Sequence, residues 1–199
     1  MNTIRLHQPI LDQGLTVKQA MMRRHSTRDF FSKPLSLDTM SEVFWAAYGV
    51  NRSEGKRTVP SVYGLYPLEI YGFTAQGVFK YNPEDHTLTE ISDKDLRAKS
   101  GSQDYVAGAP LDIVIYSNYD KFSTGNSEVD SAVKGNEDRL SLLDAGAVTE
   151  NIYLYCSSEH INVVERAMVD KNALSDALDI PASSHFIVAM SVGYPPIPA

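Results

Sequence analysis

The stretch from Glu137 to His160, EDRLSLLDAGAVTENIYLYCSSEH, constrains the fold more than any other part of the chain. Leu140, Leu143, Ala147, Val148, Ile152, Tyr155 and Cys156 recur at three- and four-residue intervals, and Leu142, Ala145, Tyr153 and Leu154 fill much of the remaining circumference. That pattern predicts a long helix that is apolar on most sides, which belongs in the middle of a domain rather than on its surface. A second buried element follows from APLDIVIYSNY, where Leu111, Ile113, Val114, Ile115 and Tyr116 form an apolar run between Pro110 and Asn118. An uninterrupted run of that length reads as a central strand covered on both faces. With 199 residues, 43% of them hydrophobic, there is material for one domain, spanning 1–199, around this helix and strand.

The other elements are arranged around these two. Val17, Ala20, Met21 and Arg24 are helically spaced after Thr16, a suitable N-cap, so a short helix is expected to end at Arg23 and Arg24. A second helix is expected from Leu37, capped by Ser36 and closed at Gly49. Residues 51 to 67 show neither helical nor strand period, and read as a long loop of the kind that usually carries function. LEIYGFTA, VFKYN and TLTEI alternate as short strands joined by turns, an antiparallel meander. INVVERAMV reads as a strand or extended loop, KNALSDALDI as a short helix and HFIVAMSVGYP as a final buried strand. The order is mixed α+β, without regular βαβ alternation, and the N-terminal residues read as a polar arm.

Charge and motif content exclude several functions. A net charge of -7 argues against nucleic-acid binding, which calls for a basic face. No apolar run is long enough for a membrane span and MNTIRLHQPILDQG lacks the core of a signal peptide, so a cytoplasmic protein is expected. Cys156 is the lone cysteine, and His7, His25, His86, His160 and His185 lack metal-ligand spacing; no metal site is expected. Neither GxGxxG nor a phosphate-binding P-loop sequence is present.

Against that acidic background RRHSTRDF, residues 23 to 30, stands out. Its arginines could simply offset the dipole at a helix C-terminus. Alternatively Arg24, His25, Ser26 and Arg28 converge on a phosphate, which guanidinium groups bind through paired donors; Arg24 and Arg28 would share a side if the helical turn continued. The loop TVPSVYGLYP has two readings as well. It is either a connector whose aromatics belong to the core, or a surface for a flat, partly polar ligand, with Pro60 and Gly64 setting the backbone and Ser61, Val62, Tyr63 and Leu65 facing the ligand.

Taken together, RRHSTRDF, PSVYGLYPLEIY, GVFKYNPEDHTL, SQDYVAGAPLDIVI, DAGAVTENIYL and VGYP resemble, in order and spacing, the nitroreductase family of FMN-dependent oxidoreductases. The loop is similar to that of the subgroup containing azoline-oxidising dehydrogenases of peptide-modification pathways. The resemblance implies a nitroreductase-like α+β fold, a central mainly antiparallel sheet flanked by helices, in an intertwined homodimer with FMN at the subunit interface. It further implies that Arg24, His25 and Ser26 hold the FMN phosphate and ribityl end, and that Arg28 approaches the pyrimidine edge of the flavin. Pro60, Ser61, Val62, Tyr63, Gly64 and Leu65 would reach the cofactor from the other subunit, and Val164, Glu165 and Arg166 would supply backbone contacts to the flavin face near N5.

The implied activity is a ping-pong cycle in which NAD(P)H reduces the flavin and a quinone, nitroaromatic or enone reoxidises it, with no side chain acting as acid, base or nucleophile in the hydride step. Two alternatives remain: an FMN-dependent dehydrogenase or oxidase of a ring or amine substrate, and a non-enzymatic flavin-binding protein. The chain departs from the family at Val62 and Tyr63, bulky where small residues are usual, so that Tyr63 would cover part of the flavin and narrow the substrate site. Asn162 and Ala167 stand where glycine is frequent, and no basic residue follows Gly193.

Overall fold

A computed structural model describes residues 2–196. Seven strands form one sheet: β1 (Thr3–Arg5), β4 (Leu68–Thr74), β5 (Gly77–Asn82), β6 (Thr87–Ser92), β7 (Leu111–Asn118), β8 (Asn162–Arg166) and β9 (Ser184–Gly193). Their order is β1-β6-β5-β4-β7-β9-β8, and each neighbouring pair runs antiparallel. A small hairpin of β2 (Val50–Arg52) and β3 (Lys56–Arg57) stands apart from it. The helices are α1 (Val17–Arg23), α2 (Leu37–Tyr48), α3 (Ser127–Val133), α4 (Glu137–Ser158) and α5 (Lys171–Leu178). This is an α+β architecture with a mainly antiparallel central sheet.

Local chemistry accounts for most element boundaries. The Thr16 hydroxyl accepts the Gln19 N–H while Gln19 reaches back to the Thr16 backbone, a reciprocal cap that starts α1. Ser36 Oγ accepts from the Thr39 N–H at the start of α2, and Asp170 does the same for Ala173 at the start of α5. At the end of α2 a Cβ on Gly49 would come within 2.3 Å of the Trp45 ring, so the chain can leave the helix only through a residue without a side chain.

The sheet is covered on both faces. On one, α2 and α4 bury Val43, Phe44, Val148 and Ile152 against Leu111, Ile113, Ile115, Met190 and Val192. On the other, Leu174 and Leu178 of α5 cover Tyr71, Phe73, Val114, Tyr116 and Ala189. Odd and even residues of β7 therefore serve different cores, which is why its sequence is apolar without alternation. Phe44 is seated directly on the sheet at Gly72, where a Cβ would lie 2.6 Å from its ring.

Three expectations are corrected. The N-terminal residues are not only a polar arm, because Thr3–Arg5 pairs with β6 as an edge strand. The 51–67 loop contains the β2–β3 hairpin, and a turn of 3-10 helix at Val62–Gly64. Most consequential is α4, which presents only the C-terminal part of its apolar stripe, Val148, Ile152 and Cys156, to the core. Ser141, Asp144, Ala145, Val148, Thr149, Ile152, Tyr153 and Cys156 are its buried side, whereas Leu142 and Leu143 are 58% and 63% exposed. Ser141 is accommodated by donating to the Glu137 carbonyl and bonding Ser117 on β7. The face of α1 is likewise turned outward, with only Ala20 buried and Val17, Met21 and Met22 exposed.

Candidate functional site

The basic segment does not continue α1. Arg24 leaves the helix with ψ 120°, so the side shared by Arg24 and Arg28 is not set by helical spacing. The chain instead runs beside the start of β8: the Thr27 N–H donates to the Val163 carbonyl at 2.9 Å, and the Val163 N–H donates to Thr27 Oγ1 at 3.0 Å. Asn162 Nδ2 donates to the Asp29 carbonyl. Arg24 lies 5.1 Å from the Tyr153 ring centre and 4.0 Å from Glu150. His25 Nδ1 is 2.7 Å from the Arg23 carbonyl. Arg28 is exposed and forms no ion pair among the described residues.

Tyr153, which the sequence pattern offers only as helix filler, proves to be the tie between the two predicted cofactor-contact segments. Its hydroxyl bonds Ser26 Oγ at 2.9 Å and accepts the Glu165 N–H at 2.8 Å. A tyrosine on the inner side of a helix needs a partner for its hydroxyl, and this one has two, from segments far apart in the sequence. A cavity of about 340 Å³ opens here, with Arg23, His25, Thr27, Tyr153, His160 and Asn162 in its wall. A larger one, about 600 Å³, lies between the N-terminal residues and helices α2 and α4. Its charged lining is Asp38, Glu42 and Glu159 with no lysine or arginine, so it does not suit an anionic cofactor. None of the sequence-predicted site residues lines it.

Of the three β8 candidates, Val164 is buried, Glu165 has an exposed side chain, and Arg166 is turned the other way. Successive strand residues face opposite sides of the sheet. Arg166 accordingly enters a buried network: it donates to Asp112 Oδ1 at 2.8 Å, Ser191 Oγ at 3.0 Å, Ser100 Oγ at 2.9 Å and the Ser100 carbonyl. Its guanidinium is therefore committed to the interior, away from the cavity wall, which leaves only its backbone for the contact expected of this segment. Burial raises the Asp112 carboxyl to about 6, against the pull of Arg166, Ser191 and Ser100, all of which favour the ionised form. The network clamps the end of β8 to the 100–101 segment, where a Cβ on Gly101 would collide with the guanidinium.

The 60–65 loop lies elsewhere on the chain. Ser61 Oγ accepts the Tyr66 N–H at 3.0 Å, and its hydroxyl next to Asp144 of α4 opposes the rise in pKa that burial imposes on that carboxyl. The bond from Tyr66 turns the Ser61 hydroxyl toward the chain's own backbone. Gly64 and Leu65 donate their N–H groups back to Ser61 and Val62. The end of the loop is held by Arg57, whose guanidinium lies between the Tyr48 and Tyr66 rings at 4.1 and 4.8 Å and also pairs with Glu84. Within this frame Tyr63 adopts φ 48° and ψ 11°, a left-handed conformation that costs a residue with a Cβ about 1 kcal/mol or more. Asp144 and Tyr153 are nine residues apart on α4, roughly 13 Å along its axis, so one chain does not join the loop to the basic segment.

Comparison with known proteins agrees with this fold. The nitroreductase family model matches residues 21–194. A curated relative from Methanocaldococcus jannaschii, provisionally named a nitroreductase, is 29% identical over 203 residues, covering 96% of this chain and 97% of its own. A crystal structure from Ralstonia eutropha, with the same provisional assignment, superimposes with a TM-score of 0.87 at 32% identity, covering 98% of this chain and 90% of that one. The E. coli microcin synthetase McbBCD complex shares the fold, with a TM-score of 0.71 at 14% identity, covering 98% and 78% of the two chains. Among the described residues no group of three or more His, Cys, Asp or Glu side chains could hold a metal ion, and no helix is long and apolar enough to cross a membrane.

Proposed function

The chain belongs to the nitroreductase family of oxidoreductases, and on that premise we propose that it is an FMN-dependent enzyme that takes electrons from NAD(P)H and passes them to a small-molecule acceptor. The observation that carries this reading is the pairing of the basic segment with the start of β8, through Thr27 and Val163, beside a cavity lined by Arg23, His25, Thr27 and Asn162, with an exposed Arg28 that forms no ion pair among the described residues. The donor set fits a phosphate: guanidinium, imidazole and hydroxyl groups gathered at one edge of an otherwise acidic chain.

Arg24, His25 and Ser26 would hold the phosphate and ribityl end of the cofactor. Arg28 would stand at the pyrimidine edge, where its positive charge favours negative charge on the ring system. Val164 and Glu165 would contribute backbone to the ring's face, with Tyr153 holding that strand against Ser26. Bound FMN would supply the hydride chemistry, accepting from a nicotinamide and delivering to a quinone, nitroaromatic or enone. No side chain of this chain need act as general acid, base or nucleophile.

A second copy would complete the site. Pro60, Ser61, Val62, Tyr63, Gly64 and Leu65 lie about 13 Å along α4 from the basic segment, so they would serve the partner's cofactor rather than their own. The exposed Val17, Met21, Met22, Leu142 and Leu143 support such a dimer, because apolar side chains displayed on two helices call for a cover.

A visible spectrum of the purified protein tests the proposal. A flavin absorbance that bleaches anaerobically with NADH or NADPH is expected; colourless protein that cannot be reconstituted with FMN would refute it. The resemblance of residues 60–69 to the azoline-oxidising subgroup favours a second reading, oxidation of a reduced ring with oxygen as final acceptor. Failure to oxidise thiazoline or oxazoline peptides would remove it.

A further inference from the structure

Tyr63 occupies a position that physical chemistry would assign to glycine. It holds a left-handed backbone at φ 48°, directly before Gly64 at φ 69°, yet its side chain is 63% exposed and its hydroxyl has no hydrogen-bond partner among the described residues. Strain of that kind persists only where the surroundings enforce it, and here they do. Ser61 Oγ accepts the Tyr66 N–H, Gly64 and Leu65 donate their N–H groups back to Ser61 and Val62, and the Tyr66 ring is stacked on Arg57. Lys121 Nζ donates to the Tyr66 carbonyl at 3.0 Å. The exposed ring is thus presented from a stiff platform. Beside it, a Cβ built on Gly64 would lie 3.2 Å from Lys56 Nζ, and that ammonium makes no ion pair or side-chain hydrogen bond among the described residues.

We propose that Tyr63 and Lys56 together select the acceptor: the Tyr63 ring stacks on a planar aromatic acceptor, and Lys56 takes an anionic substituent on it, a carboxylate or sulfonate. The inference rests on the functional reading above, in which this loop faces the partner's cofactor. It goes beyond that reading by assigning the choice of acceptor to Tyr63 and Lys56 and by making the preferred acceptor anionic. A rigid aromatic loses little entropy on binding a flat ligand, and its ring face favours offset stacking. An ammonium at the edge adds discrimination that weakens with salt.

The test uses FMN-loaded protein and perturbation of the flavin absorbance by three probes: anthraquinone monosulfonate, unsubstituted naphthoquinone and cyclohexenone. Tyr63→Gly is expected to weaken both quinones about tenfold through the lost stacking, leaving cyclohexenone unchanged, while Tyr63→Phe behaves as the parent. Lys56→Gln is expected to weaken the sulfonate alone, about fivefold at low salt. Tyr63→Gly also relieves the left-handed backbone, so its thermal midpoint is expected not to fall. That readout separates a binding role from a structural one. Quinone affinity that ignores Tyr63, equal losses for all three probes, or equal effects of Lys56→Gln on charged and neutral quinones would overturn the inference while leaving the flavin enzyme intact. Protein that never takes up FMN would overturn both.

Discussion

Replacing Arg166 by methionine should destabilise the protein by about 3–5 kcal/mol at pH 8, the range found when one member of a buried ion pair is removed. The magnitude follows from what is left behind. The Asp112 side chain is 0% exposed, and losing the guanidinium leaves the Ser191 hydroxyl as its hydrogen-bonding neighbour while freeing both Ser100 acceptors. Asp112 already titrates near 6 with Arg166 in place, above its usual 3.8, because burial outweighs the favourable partners. A carboxyl whose folded-state pKa is raised binds its proton more tightly in the folded state than in the unfolded one. Its contribution to stability is therefore greatest at low pH and is lost as pH rises from about 4 through about 6. Removing Arg166 raises that carboxyl further and extends the window upward. The deficit of Arg166→Met should accordingly shrink at pH 5, where protonation neutralises the stranded group. Equilibrium urea unfolding at pH 5 and pH 8, at fixed protein concentration, measures both effects. The double variant Asp112→Leu/Arg166→Met should recover much of the loss, since no buried charge remains. A loss below about 1 kcal/mol at pH 8, equal losses at both pH values, or a double variant as unstable as the sum of its singles would refute the reasoning.

Tyr153→Phe removes two hydrogen bonds and strands the Glu165 N–H; a loss of about 1–2 kcal/mol and faster amide exchange at Glu165 are expected, and unchanged exchange would sever the proposed link between α4 and β8. Gly72→Ala should cost about 1–3 kcal/mol by driving a methyl group into the Phe44 ring, and a neutral result in thermal unfolding would mean that Phe44 is not fixed there. Arg24→Ala should mainly weaken FMN retention, whereas Arg28→Ala should also lower the flavin reduction potential; equal losses of binding with no change in potential would refute the separate roles.

Local signals carried a good part of the fold into the sequence. The Ser36 cap, the Gly49 stop, the β4–β6 meander and the doubly covered β7 all depend on interactions within a few residues or on simple periodicity, and each is found where the pattern puts it. The density of donors in RRHSTRDF and the special backbone of residues 60–65 were legible for the same reason, because both are properties of short segments.

What only the tertiary structure decided is which side of each element faces which neighbour. Periodicity marked α4 as apolar on most sides, but packing against β7 and the 60–65 loop chose Ser141 and Asp144 as inner residues, the former satisfied by Ser117 and the Glu137 carbonyl, and left Leu142 and Leu143 outside. Arg166 was expected at a cofactor because its segment resembles one that contacts the flavin. Strand alternation sent its side chain to the opposite face, onto an aspartate 54 residues away. Tyr153 joins partners 127 and 12 residues distant, with no motif to announce it. Buried polar groups must find partners wherever the fold delivers them, and that delivery is a property of the packed whole rather than of any stretch of sequence.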